Sequence, residues 1–210
     1  FKYEIPYMLL ITAVLLVMGM TGNEITFIEG VILWILFIAY LLYLYFLAKK
    51  GNDSGDEQSV KLYPVWKCLF FIVLGGVCVV IGSQLVVNGA TTIARACGMS
   101  ERFIGLTIVA FGTSLPELVT SVSAARKGNA GIAIGNIVGS NIFNILFVVG
   151  TVALICPVPF ESRFVIDTVV AILCGVLLWG GTIRHKELRK PCGVVMLLCY
   201  AAYFVYLAAM

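Results

Sequence analysis

The stretch that decides the fold is "AFGTSLPELVTSV", Ala110 to Val122, in which Thr113, Ser114, Pro116 and Glu117 set two hydroxyls, a helix-breaker and a carboxylate within five positions. On both sides of it the chain is apolar, and from Phe103 to Ala125 the only charge is Glu117. Of the 210 residues, 61% are hydrophobic and 12% are charged. A soluble domain carries about twice that share of charge. The chain is therefore read as an integral membrane protein, and the charge and the proline lie at membrane depth.

Working outward, uncharged runs count the spans, because crossing the hydrocarbon takes about 20 helical residues. Seven are expected: Ile5 to Asn23, Gly30 to Ala48, Cys68 to Ala94, Phe103 to Ala125, one within Gly128 to Phe160, Phe164 to Ile183 with Asp167 near its start, and Pro191 to Met210. Barrel-type alternation is absent, so the fold class is all-α and polytopic. The hydrophilic run "KKGNDSGDEQSVK", Lys49 to Lys61, is a solvated linker. It separates two helices (1–48) from five (66–210), with the linker region taken as 49–65.

Basic residues favour the cytoplasmic side. Lys2, Lys49, Lys50, Lys61, Lys67, Arg126, Lys127, Arg184, Lys186, Arg189 and Lys190 fall on one side, and Arg95, Arg102 and Arg163 on the other. This places the first residue and the linker inside and the C-terminus outside. Tyr40, Tyr43, Tyr45, Phe46, Tyr63 and Trp66 read as an interfacial belt, and His185 as a solvated loop residue. The seven cysteines, without CxxC spacing, read as small buried apolar residues. The chain begins with Phe, so a segment upstream is expected.

An ionisable group inside a span points to function. On one helix, Thr113, Ser114 and Glu117 share a side, and Pro116 cannot donate to the carbonyl of Gly112, which leaves backbone oxygen beside the side-chain oxygens. Gly112 is expected to allow local unwinding. In the next span Ser140 and Asn144 stand four apart on one face, and Gly135 and Gly139 are expected to let another helix approach closely. Hard oxygen ligands of this kind suit Na⁺ or Ca²⁺ better than a transition metal. One carboxylate compensates two charges poorly, so a second acid is expected from elsewhere. Asp167 is read instead as a carboxylate at a helix N-terminus. Ser114 has no His or Lys base inside a span, so an enzyme is not expected.

Residues 105–150, "GLTIVAFGTSLPELVTSVSAARKGNAGIAIGNIVGSNIFNILFVVG", closely resemble the second α-repeat of the sodium/calcium exchangers, prokaryotic calcium/sodium antiporters above all. The paired GTSLPE and GNIVGSN motifs carry the resemblance. It implies ten helices in two inverted repeats with cations bound at the midplane, of which this chain would be helices four to ten, the N-terminal half with the first α-repeat being absent. It also implies cation ligands at Ala110, Thr113, Ser114, Glu117, Ser140 and Asn144. Some members have aspartate where Asn144 stands, which leaves the charge balance and any K⁺ dependence open.

The expected function is Na⁺/Ca²⁺ antiport across the cell (inner) membrane. The transported ions are Ca²⁺ and Na⁺, no cofactor or nucleic-acid partner is expected, and the lipid bilayer is the surrounding partner. A Ca²⁺/H⁺ exchanger is the alternative in the same class. A transport-incompetent membrane scaffold is the alternative in another.

Overall fold

A computed structural model describes residues 3–51, 64–99, 101–183 and 188–209. Most of the expected linker, together with Lys2, Tyr63, Arg184, His185 and Lys186, lies outside the described residues. The elements are α1 (Glu4–Gly22), β1 (Glu24–Ile25), α2 (Phe27–Gly51), α3 (Val65–Ala96), α4 (Glu101–Ile104), a π-helical turn (Gly105–Val109), α5 (Ala110–Thr113) and α6 (Leu115–Arg126). There follow α7 (Ala130–Phe143), a second π-helical turn (Asn144–Val149), α8 (Gly150–Ile155), β2 (Val158–Pro159), α9 (Ser162–Thr182) and α10 (Lys190–Ala209). Six helical segments are long and apolar enough to cross a membrane, and the bent pair Thr107–Thr113 and Leu115–Arg126 makes a seventh. The chain is a helical, multi-pass membrane protein. α2 starts at Phe27 and α3 at Val65, each three residues before the expected start, and α2 continues through Lys49 and Lys50 to Gly51, three past its expected end.

Local chemistry explains the ends. Asn23 stops α1 in the left-handed conformation, φ 54°. At the start of α2, Glu29 Oε2 accepts the Thr26 N–H at 2.7 Å and the Thr26 hydroxyl at 2.9 Å, a capping-box arrangement that helps satisfy an otherwise open helix end. Glu24–Ile25 pairs antiparallel with Val158–Pro159, tying the α1–α2 and α8–α9 connections together at one end of the bundle. Gly128, at φ 78°, closes α6, with its own N–H donating to Ala125 and that of Asn129 to Ala124.

Because the spans are apolar all round, periodicity does not say which face is covered. Packing decides it. Ile5, Met8 and Ile11 of α1, Leu33 and Phe37 of α2, Ile134, Val138 and Ile142 of α7, Leu146 of the second π turn and Leu178 of α9 form the buried core. Trp34, Phe37, Phe143 and Phe147 stack across the α2–α7–α8 junction, and the Trp34 indole N–H donates to the Thr151 hydroxyl at 3.2 Å. The close backbone approach falls at Gly30 and Gly150, since a Cβ on Gly30 would lie 2.9 Å from Ala153 Cβ and 3.0 Å from the Gly150 carbonyl.

Gly135 and Gly139, from which that role was expected, have nothing within 4 Å of a built Cβ among the described residues. The cysteines also depart from expectation. Four are exposed and three half-buried, because a membrane helix can turn small apolar side chains outward at no hydrophobic cost. The long helix α3 has only Ala94 buried. Its 32 residues extend about 48 Å, well beyond the ~30 Å hydrocarbon layer, so it is long enough to cross at a tilt.

Candidate cation site at a broken helix

The motif quoted first is not one continuous helix. α5 ends at Thr113, Ser114 sits at the joint with φ −90° and ψ 0°, and α6 begins at Leu115, its axis turned by 49°. Pro116 occupies the first turn of α6, where a missing N–H leaves no hydrogen bond unmade. The expected single face of Thr113, Ser114 and Glu117 is thereby corrected: Thr113 closes one helix and Glu117 belongs to the first turn of the next. Two helix ends meet at Ser114. The carbonyl end of α5 favours a cation and the N–H end of α6 favours the Glu117 carboxylate.

The freed carbonyl of Gly112 is also not where sequence reasoning puts it. The Ser83 hydroxyl of α3 donates to it at 2.5 Å. Gly112 is buried against Val87, one helical turn beyond Ser83, so its small size serves the approach of α3 rather than unwinding. The Ala110 carbonyl accepts from the Thr113 hydroxyl at 3.0 Å. Each carbonyl oxygen has two lone pairs, so one such bond does not exhaust it.

Glu117 is half-buried, and its Oε2 is buried with no hydrogen-bond partner among the described residues. A buried carboxylate oxygen without a partner is costly, so a donor or a cation placed there would be stabilising. The other sequence-predicted ligand positions, Ser140 and Asn144, belong to α7 and the turn that follows it. The Asn136 side-chain amide donates to the Glu117 carbonyl at 3.1 Å, to the Thr120 hydroxyl at 2.8 Å and to the Ser121 hydroxyl at 3.0 Å. These bonds join α7 to the turn that bears Glu117.

Ser140 and Asn144 follow Asn136 at steps of four and so continue its stripe. The Ser140 hydroxyl reaches the Ile137 carbonyl only at 3.5 Å, the limit of a hydrogen bond, and Asn144 opens the second π turn. π turns thus stand beside both parts of the site, before the GTSLPE motif and after GNIVGSN; such turns are frequent at functional positions. Sequence reasoning missed Ser83 and Val87. The spacing of four between Asn136 and Ser140 is the signal by which the sequence could have pointed to Asn136.

Ala110, Phe111, Ser114 and Leu118 form one wall of a cleft of about 500 Å³, and Tyr200, Tyr203, Phe204 and Leu207 of α10 form the other. Two of the six sequence-predicted ligand positions, Ala110 and Ser114, therefore line this cleft, and Glu117 does not. Asp167 is the sixth residue of α9, past its first turn, and accepts the Tyr203 hydroxyl at 2.7 Å. The expected helix-end role for this carboxylate is replaced by a side-chain bond to another helix. Among the described residues no three of His, Cys, Asp and Glu gather. The donors at the break are hydroxyls, carbonyls and one carboxylate, the set a hard cation takes.

Comparison with known proteins agrees with this chemistry. The family described as "Sodium/calcium exchanger protein" matches residues 67–209. The chain is 39% identical to sodium/calcium exchanger MaX1 of Methanosarcina acetivorans, over 67% of this chain and 41% of that protein. It is 32% identical to inner membrane protein YrbG of Escherichia coli, over 93% of this chain and 63% of that one. The solved sodium/calcium exchanger from Methanococcus jannaschii superposes with a TM-score of 0.76 at 31% identity, covering 98% of this chain and 64% of that structure. The chain thus spans about two thirds or less of the length of these relatives. A broken helix bearing an unpaired carboxylate, and a family match over most of the sequence, identify this chain as a member of the sodium/calcium exchanger protein family.

Proposed function

We propose that this chain is the part of a Na⁺/Ca²⁺ antiporter that holds one half of the cation site, with Glu117 as its charged ligand. The observation that carries the reading is the buried, unpartnered Oε2 of Glu117 at a helix break within a membrane span. Thr113, Ser114 and the Ala110 carbonyl border the same break, and Ser140 and Asn144 supply oxygen from α7. Na⁺ and Ca²⁺ enter as cargo, and either would supply the positive charge that the carboxylate lacks.

One carboxylate and neutral oxygens hold Na⁺ more readily than Ca²⁺. The remaining negative charge comes, in this proposal, from the part of the relatives' length that the chain does not span, as the inverted-repeat resemblance implies. Exchange follows because one set of oxygens serves both ions in turn. The long helix α3, touching the break through Ser83 and Val87, is placed to report occupancy by its position. For orientation we propose the linker side in the cytoplasm and the β1–β2 end outside. Lys49 and Lys50 close α2 and Arg126 closes α6 on the first side, and Glu24 and Glu161 lie by the second.

The test uses the full-length natural protein in liposomes. An outward Na⁺ gradient should drive ⁴⁵Ca²⁺ uptake, and Glu117→Gln, which keeps shape and removes charge, should abolish it. Unchanged uptake in that variant refutes the site. Uptake driven by a pH gradient and not by Na⁺ would make the protein a Ca²⁺/H⁺ exchanger instead.

A further inference from the structure

In an unbroken helix the Gly112 carbonyl would accept from the N–H four residues on, but that residue is Pro116, which has none. The Ser114 N–H, at the joint, approaches the same oxygen. A short bond to it comes from another helix: the Ser83 hydroxyl of α3, 29 positions earlier, donates at 2.5 Å. Gly112 is buried against Val87 of α3, and Ser83 is half-buried. A hydrogen bond shielded in this way is stronger than one in water.

What the bond fixes follows from the peptide group. The Gly112 carbonyl lies in one plane with the Thr113 N–H and Cα, so an oxygen held from α3 also sets the direction in which Thr113 leaves that plane. The Thr113 hydroxyl in turn donates to the Ala110 carbonyl at 3.0 Å. Contacts thus run from Ser83 through Gly112 to Thr113 and Ala110, two of the sequence-predicted ligand positions. Ser114, a third, is the next residue, at the joint itself.

α3 packs chiefly on the stretch that carries the break, namely α4, the first π turn, α5 and α6. It has a second polar tie, from Arg95 to Glu101 of α4, about 18 Å further along its axis. That tie also holds α3 but touches no predicted ligand position. The two ties can therefore be told apart by experiment.

We propose that Ser83 is a positioning residue: its hydroxyl stands in for the N–H that Pro116 lacks, and so holds the oxygens of Ala110, Thr113 and Ser114 where a cation beside Glu117 can meet them. The proposal rests on the antiporter reading above.

The experiment measures initial rates of Na⁺-driven ⁴⁵Ca²⁺ uptake against Ca²⁺ concentration, with the full-length natural protein in liposomes. Ser83→Ala removes the donor and Ser83→Thr keeps it. Glu101→Gln weakens the other tie. Ser83→Ala should raise the KM for Ca²⁺ about two- to tenfold, the range that one intramolecular hydrogen bond is worth. Its maximal rate should stay within about twofold of the native one, because binding and not the later steps is impaired. Ser83→Thr and Glu101→Gln should both keep the native KM. Any stability cost of the added methyl group in Ser83→Thr is read separately, as a melting temperature in detergent, and leaves the KM of the folded protein unchanged.

An unchanged KM in Ser83→Ala overturns the proposal, and so does a fall in maximal rate alone, which is what loss of folded protein would give. A Ser83→Thr protein with the raised KM of Ser83→Ala overturns it too. The same rise in Glu101→Gln would also overturn it, since any loosening of α3 would then suffice. Glu117→Gln measured alongside separates the two readings. If it transports normally, the site assignment fails; if it is inactive while Ser83→Ala keeps the native KM, only the role of Ser83 fails.

Discussion

Replacing Gly112 with Ala puts a methyl group where α3 meets the helix break. The new Cβ would lie deep inside contact distance of Val87 Cγ2 and 3.3 Å from Val87 Cβ, and the Val87 Cα is at 3.9 Å. Turning the Val87 side chain cannot clear this, because its own Cβ is already tighter than an ordinary carbon contact of about 3.5–4.0 Å. α3 must withdraw. Overpacking of this kind costs about 1–3 kcal/mol. Withdrawal also stretches the 2.5 Å bond from Ser83 to the Gly112 carbonyl, which the Ser114 N–H also approaches, and losing the hydroxyl bond adds about 0.5–1.5 kcal/mol.

The sum, roughly 1.5–4.5 kcal/mol, is enough to lower the folded fraction or to reshape the break. Thermal stability of the full-length protein in detergent and ⁴⁵Ca²⁺ uptake in liposomes should both fall in Gly112→Ala. Adding Val87→Ala removes Cγ2, the atom nearest the new methyl, while leaving the tight Cβ, and should recover part of both. A Gly112→Ala protein as stable and active as the native one refutes the reasoning, and so does a double variant no better than the single.

Asn136→Leu, close in size, should cost about 1–3 kcal/mol by removing the amide that donates to the Ser121 hydroxyl and, alongside the Thr120 hydroxyl, to the Glu117 carbonyl. Its loss of transport should exceed its loss of thermal stability, since α7 then leaves the Glu117 turn; equal loss would mean a packing role alone. Arg95 donates to both carboxylate oxygens of Glu101, at 2.6 and 2.8 Å, and this hydrogen bonding holds the Glu101 carboxyl below its ordinary value. A depressed carboxylate stabilises the fold above its unfolded pKa and loses that contribution as pH falls through the folded one. The stability difference between native protein and Glu101→Gln should therefore shrink on acidification below about pH 4.5, and a difference that grows there contradicts the pairing. Because the pair is exposed, the difference should also be small and should fade in high salt.

Run length made the spans legible before any coordinates. Charge is scarce enough that each uncharged stretch of about 20 residues is a crossing, and hydrocarbon thickness does the counting. The oxygen cluster of Ala110 to Glu117 was legible for a similar reason, since polar side chains at that depth are costly enough to be noticed singly. The proline's effect was half legible: its missing N–H forecast a freed carbonyl, and the helix break follows from the same chemistry.

Residues far apart in the chain decided the rest. The Gly112 carbonyl goes to Ser83, 29 positions away, and the Asp167 carboxyl to Tyr203, 36 away. Gly30 and Gly150 are crowded while Gly135 and Gly139 are open, although all four look alike in an apolar helix. Helices that are apolar all round announce their depth in the membrane but not the face they turn to a neighbour. For this chain, sequence by itself determined how many times it crosses the bilayer and which oxygens lie at mid-span. Only the packing of those helices decided which oxygens are committed to a partner and which, above all Oε2 of Glu117, have none among the described residues.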